Sequence, residues 1–223
     1  MVRFFWQLSA LLILFSCSGP ADNENKRIFR YNEAAGITSL DPAFAKNLAN
    51  IWVCNQLFNG LVQLDDKLKV IPCIARAWEI SDDGLSYTFY LRSDIFYHQD
   101  TLFGKGLSRN VVASYFIYSF SRVLDPQVAS PGAWVFQNIL IEDGKPAIIA
   151  INDTTLNIRL KKAFPPFLGI LSMKYCSVLP KEIIDHYGKD FRQNPIGTGP
   201  FYFKYWKEGV KLVLRKNENY FET

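Results

Sequence analysis

Ile71-Pro72-Cys73-Ile74-Ala75-Arg76-Ala77-Trp78-Glu79-Ile80-Ser81-Asp82-Asp83-Gly84-Leu85-Ser86-Tyr87-Thr88-Phe89-Tyr90-Leu91-Arg92 is the stretch on which the fold turns. Tyr87 to Arg92 alternates large apolar and polar residues, the period-two pattern of a strand with one buried face. Ala75 to Ile80 precedes it, and Ser81-Asp82-Asp83-Gly84 lies between. Asp and Gly supply the turn chemistry that reverses a chain, so the stretch reads as a β-hairpin. Asp82-Asp83 and the earlier Asp65-Asp66 then belong to solvated turns and not to a metal site.

Outward from this hairpin the chain mixes strands and helices. Ile28 to Asn32 alternates and reads as a strand. Ser39-Leu40-Asp41-Pro42 reads as a turn, with Pro42 placed for a helix start. Leu48, Ile51, Trp52, Asn55, Leu57 and Phe58 recur at helical spacing up to Gly60. Leu61 to Leu64 is a short strand. Ser108 is placed to cap a helix from Arg109 to about Leu124. Ala133 to Ile141 reads as a short helix, and 147–151 with 155–160 as two strands. Phe164-Pro165-Pro166-Phe167 opens a helical stretch, and Pro180 to Tyr187 is a helix. The segments 201–206 and 210–215 form a second hairpin about Lys207-Glu208-Gly209. Without strict βαβ alternation this is a mixed-sheet α/β or α+β protein.

Composition bounds the function. Of 223 residues, 49% are hydrophobic and 21% charged, with net charge +4. That excludes a disordered chain, and 13 Gly, 11 Pro and four Cys exclude collagen-like and disulfide-scaffold classes. No Lys/Arg block marks a nucleic-acid surface. Two histidines exclude a His-rich metal site. Cys54, Cys73 and Cys176 match no zinc spacing and sit in apolar surroundings, which favours three buried thiols over a Cys54–Cys73 bridge. Gly197-Thr198-Gly199-Pro200 is too short for a phosphate loop and reads as a tight turn entering the next strand. His98 with Asp100 is a candidate acid/base pair or a turn feature. No catalytic grouping emerges, and no cofactor or metal is expected. Binding is favoured over catalysis.

Residues 1–16 read as an export signal: Arg3, then an apolar run from Phe4 to Phe15 shorter than the ~20 residues a spanning helix needs. Leu14-Phe15-Ser16-Cys17 resembles a bacterial lipobox, which implies cleavage before Cys17 and lipidation of its thiol. A plain secretory signal is the alternative. Residues 17–27 then read as a small, polar tether.

The ordered set Ser39-Leu40-Asp41-Pro42, Gln56-Leu57-Phe58-Asn59-Gly60-Leu61, the 71–92 stretch, Arg122-Val123-Leu124-Asp125-Pro126 with Ala129-Ser130-Pro131, Gly197-Thr198-Gly199-Pro200-Phe201 and Asn217-Glu218-Asn219-Tyr220-Phe221 resembles the bacterial extracellular solute-binding proteins of family 5. These are the peptide/nickel-type binding proteins of ABC importers, with the oligopeptide- and dipeptide-binding lipoproteins as the nearest kind. The resemblance implies a periplasmic-binding-protein-like class II fold. Residues 28–41 and 164–223 would be the first lobe and 42–163 an inserted subdomain, with the second lobe missing. It implies a non-enzymatic lipoprotein that captures extended peptides, delivers them to importer permease and ATPase subunits, and is tied to a bacterial membrane through a lipid anchor. A nickel complex, haem or an oligosaccharide are rival ligands within the family. An exported interaction protein or hydrolase reusing the scaffold is the rival outside it. Carried over by position, the ligand-lining residues are Lys46, Asn47, Leu48, Gly132 and Trp134. Lys46 stands where relatives hold an acid and Gly132 where they hold a Tyr. A solvated lysine and a tryptophan packed on the inserted subdomain are the plainer readings of Lys46 and Trp134.

Overall fold

Four strands, Ala75–Ile80, Ser86–Leu91, Thr155–Arg159 and Ile148–Asn152 in that order, carry the largest sheet. The computed structural model describes residues 27–104 and 107–222, so the leader, the lipobox and Cys17 lie outside the described residues. The elements are β1 (Val62–Leu64), β2 (Val70–Pro72), β3 (Ala75–Ile80), β4 (Ser86–Leu91), β5 (Ile141–Glu142), β6 (Lys145–Pro146), β7 (Ile148–Asn152), β8 (Thr155–Arg159), β9 (Phe201–Lys207) and β10 (Lys211–Lys216). The α-helices are α1 (Leu48–Leu57), α2 (Ala113–Leu124), α3 (Phe167–Ile170) and α4 (Lys181–Tyr187). Every strand pair described is antiparallel, so the α/β character comes from helices laid on antiparallel sheets.

The 71–92 hairpin forms as read. Gly84 takes φ 68°, a backbone that costs glycine least. Its N–H bonds the Ser81 carbonyl at 2.8 Å, and Asp83 accepts from the Leu85 N–H at 2.9 Å. On β4, Tyr87, Phe89 and Leu91 face inward while Ser86, Thr88 and Tyr90 face out. The outer face is knitted by Asn157, whose amide donates to Ser86 Oγ and Thr88 Oγ1, both at 2.9 Å. The inner face meets α2, whose buried Phe116, Phe120 and Val123 recur at three- and four-residue steps. The Phe120 and Phe136 rings stand 4.6 Å apart and those of Tyr87 and Phe167 5.1 Å apart, in one continuous core. Each buried phenylalanine contributes about 1.5–3 kcal/mol of transfer free energy.

Five boundaries differ from the expectation. Helix α2 begins at Ala113, not Arg109, because residues 109–111 pair with 95–97 instead: Tyr97 N–H bonds Arg109 O and Val111 N–H bonds Ile95 O, both at 2.9 Å. Ser108 therefore does not cap a helix; its hydroxyl donates to the Tyr97 carbonyl. Helix α1 ends at Leu57, because Phe58 turns extended at φ −134° before Gly60 is reached. The expected helix over 133–141 shrinks to one 3-10 turn, Ala133–Phe136, since Ile139 bridges to Leu160. Residues 27–33 carry no helix or strand; alternation permits a strand, but pairing makes one. Pro180 caps α4 rather than lying within it.

All three described cysteines are free and buried. Burial pushes the Cys73 thiol up to about 11 and those of Cys54 and Cys176 higher still. Thiolate is the reactive form, so maleimide at pH 7 is expected to leave these three unlabelled in the native protein and to label all of them in urea. Peptide mass mapping reads the result, and fast native labelling at any one would contradict the packing. Among the described residues no helix is long and apolar enough to cross a membrane.

Candidate functional site

The sequence-distant motifs converge on two junctions. At the first, Asp41 is nearly buried and grips the Arg122 guanidinium with both oxygens, at 3.1 and 2.5 Å. The same carboxylate accepts from the Ala43 N–H at 2.9 Å, capping the 3-10 turn Pro42–Phe44. Ser130 donates its hydroxyl to the Ala43 carbonyl at 2.6 Å. Charge-assisted bidentate bonds of this kind are the strong ones. They bring the chain just after Pro42 and the chain just after Ser130 side by side.

At the second junction Gly197-Thr198-Gly199 lies on the last turn of α1. Gly199 N–H bonds Leu57 O at 2.9 Å, and Thr198 Oγ1 donates to Asn59 Oδ1 at 3.0 Å. Asn59 donates in turn to Tyr220, and Asn217 to the Gly199 carbonyl. His98 closes the arrangement. Its Nδ1 accepts from Gly197 N–H at 3.3 Å, so the ring proton is on Nε2, which donates to Gly199 O at 2.9 Å. His98 is thus a buried structural clamp and not an acid/base partner of Asp100, which instead caps Leu102 N–H at 2.8 Å.

Burial lowers the His98 pKa to about 4 against the ordinary 6.5. The folded state therefore holds the neutral ring, and its stabilisation is complete above about pH 6.5 and is lost as pH falls through about 4. The displacement corresponds to roughly 3 kcal/mol. Urea titrations at pH 7 and pH 4 are expected to show that loss in the parent and a flatter pH response in His98→Gln, which starts from a lower value at pH 7. Parallel pH responses would refute the clamp.

The candidate lining residues fall at the first junction. Lys46 is exposed. Asn47 is exposed but engages its oxygen as the N-cap of α1, accepting from Asn50 N–H at 2.9 Å. Leu48 opens the helix 62% exposed, and Trp52, one turn on and on the same face, is 45% exposed. Trp134 is 46% exposed on the 3-10 turn that follows Gly132. Gly132 itself is buried: a Cβ built there would stand 2.3 Å from the Tyr175 ring. Tyr175 therefore fills the space that a side chain at 132 would need. The structure brings Lys46–Leu48 and Gly132–Trp134 together, but only Lys46, Leu48 and Trp134 present substantial side chains to the outside. Sequence reading missed Trp52, Met173 and Tyr175. Trp52 was legible as the i+4 neighbour of Leu48; Tyr175 was not, because only the backbone approach at Gly132 reveals it. Met173, 36% exposed, leads into the 3-10 turn Lys174–Cys176, which packs on Pro42–Phe44 and on α1. Lys174 is held below its ordinary pKa by desolvation, and its amine reaches only the Phe58 carbonyl, at 3.5 Å. Among the described residues no cluster of His, Cys, Asp and Glu is arranged to hold a metal.

Comparison with known proteins gives a concordant result. Residues 69–223 match the sequence model of the bacterial extracellular solute-binding proteins, family 5. The chain is 30% identical over 226 residues to di/tripeptide-binding protein 2 of Pseudomonas aeruginosa, covering 96% of this chain and 42% of that one. It is 32% identical over 178 residues to heme-binding protein A of Haemophilus influenzae, covering 75% and 32%. Among solved structures it is similar to an ABC transporter-associated periplasmic binding protein of Helicobacter pylori in complex with a peptide, with TM-score 0.72, 30% identity, and coverage of 83% of this chain and 38% of that one. The chain thus spans well under half the length of the relatives it matches.

Proposed function

Because the chain belongs to the bacterial extracellular solute-binding proteins of family 5, we propose that it forms the first lobe of a two-lobed, class II solute-binding protein that captures peptides for an ABC importer. In this reading residues 28–41 and 164–223 make the lobe proper and 42–163 the inserted subdomain. The second lobe would close over the ligand, and permease and ATPase subunits would receive it. The protein would be exported and held at a bacterial membrane by lipid on Cys17. Cargo would leave chemically unchanged.

One observation carries the reading: Leu48, Trp52 and Trp134 stand exposed on two segments that the Ser130–Ala43 hydrogen bond, between residues 87 apart in sequence, holds together. Large apolar side chains left on a rigid base mark a surface that is covered at work. An extended peptide meets such a lobe through its backbone, and its side chains fall against the aromatic walls. Calorimetry of the intact protein against a peptide library tests this. Saturable binding is expected, weakened about tenfold by Trp134→Ala, since a contact of this kind is worth about 1–2 kcal/mol. Silence toward every peptide would remove the peptide claim.

A further inference from the structure

The lobe face proposed above is not electrically neutral. Its three segments, 42–57, 126–141 and 164–180, contain no Asp or Glu and two lysines, Lys46 and Lys174. They are neighbours in the fold, joined by Ser130 to Ala43 and by the packing of 174–176 on 42–44 and on α1. Lys46 forms no ion pair with a carboxylate among the described residues. Lys174 is likewise without a carboxylate partner there, but its amine turns to the Phe58 carbonyl, so Lys46 is the cation this face presents. On the same three segments stand Leu48, Trp52, Trp134 and Met173, each at least a third exposed.

A patch of this make-up selects against an amine. An ammonium group meeting it would find a like charge at Lys46, and the acid at the junction, Asp41, is buried and already paired with Arg122, whereas a carboxylate would find a charge-assisted donor beside flat apolar walls. We propose that the portion of the ligand seated on this lobe is an anion with an apolar body: a carboxylate carried on an aromatic, polycyclic or bulky aliphatic group, whether or not that group belongs to a peptide. The proposal rests on the solute-binding reading and narrows it.

The test uses the intact protein and three matched probes, 1-pyrenebutyrate, its methyl ester and 1-pyrenemethylammonium, with trialanine as a peptide control. Binding is followed by tryptophan-to-pyrene energy transfer and by calorimetry. The acid is expected to bind about tenfold tighter than the ester and the ammonium probe weakest, with the acid–ester difference shrinking at 0.5 M salt. Lys46→Glu, an exposed substitution read for folding by circular dichroism, is expected to abolish the acid preference while leaving ester affinity in place. Trp134→Ala is expected to weaken acid and ester alike. Equal affinity for acid and ester, or a preference untouched by Lys46→Glu, overturns the proposal; trialanine binding in that same experiment leaves the solute-binding reading standing. Silence toward all four solutes and toward the peptide library overturns both.

Discussion

Gly197→Ala is expected to destabilise the protein severely. A Cβ at 197 would lie 2.0 Å from the Leu57 carbonyl oxygen and 2.6 Å from the Phe58 ring, and one at Gly199 would lie 2.4 Å from the Gln56 oxygen. The obstacle is backbone, so no rotamer change relieves it. Either the last turn of α1 moves or the turn at 197–199 lifts off. Lifting it breaks Gly199 N–H to Leu57 O, Thr198 to Asn59 and both His98 contacts together. Ordinary overpacking costs about 1–3 kcal/mol; with these bonds lost as well, about 4 kcal/mol or more is expected, a large share of the roughly 5–15 kcal/mol that holds a domain together. Gly169→Ala is the control, since its Cβ would meet nothing within 4 Å and its φ is not positive. That variant should match or slightly exceed the parent in urea, while Gly197→Ala should unfold at a far lower urea concentration. A Gly197→Ala protein that unfolds at the parent's urea midpoint would show that the close approach is wrong.

The second large effect is expected from Asp41→Ala. Removing this carboxylate leaves the Arg122 side chain, 11% exposed, as an unpaired cation and deprives Ala43 N–H of its cap. Breaking one half of a buried pair costs about 3–5 kcal/mol, most of it the burden of the stranded charge. Lost capping adds about 1 kcal/mol. The double variant Asp41→Ala/Arg122→Met should recover part of the loss, because it removes the stranded charge as well. Chemical denaturation of the parent, the two single variants and the double closes the cycle. A loss below 1 kcal/mol in Asp41→Ala would mean that Arg122 finds water or another partner. Because Asp41 and Ser130 together fix the approach of segments 42–48 and 130–134, binding should fall in this variant even where it folds.

These two junctions explain what the sequence made legible. The 71–92 hairpin could be read because alternation and an Asp-Asp-Gly turn are local signals. The 109–112 segment could not, because its pairing with 95–97 is decided by contacts outside it. Ser39–Pro42, Arg122–Pro126 and Ser130-Pro131 could be seen as separate motifs. That the first and second are two halves of one ion pair, and the third a bolt onto Ala43, is geometry that spacing does not encode. At the candidate site, Lys46, Leu48 and Trp134 were reachable by position. Asn47's capping role and Tyr175 beneath Gly132 were not, since each depends on where a neighbouring backbone passes.

The bonds that seat the 197–199 turn have a consequence for the life of the chain before it folds. Asn59 waits 139 residues for Thr198 and 161 for Tyr220, and His98 waits 101 for Gly199. Closing loops of that size demands an entropic outlay before any contact repays it, so such structure assembles late and slowly. A nascent polypeptide halted at residue 195 should accordingly remain open to protease, and become resistant only once the residues through Tyr220 have been added. Until residues 198–220 arrive, Asn59 and His98 lack the partners that seat them.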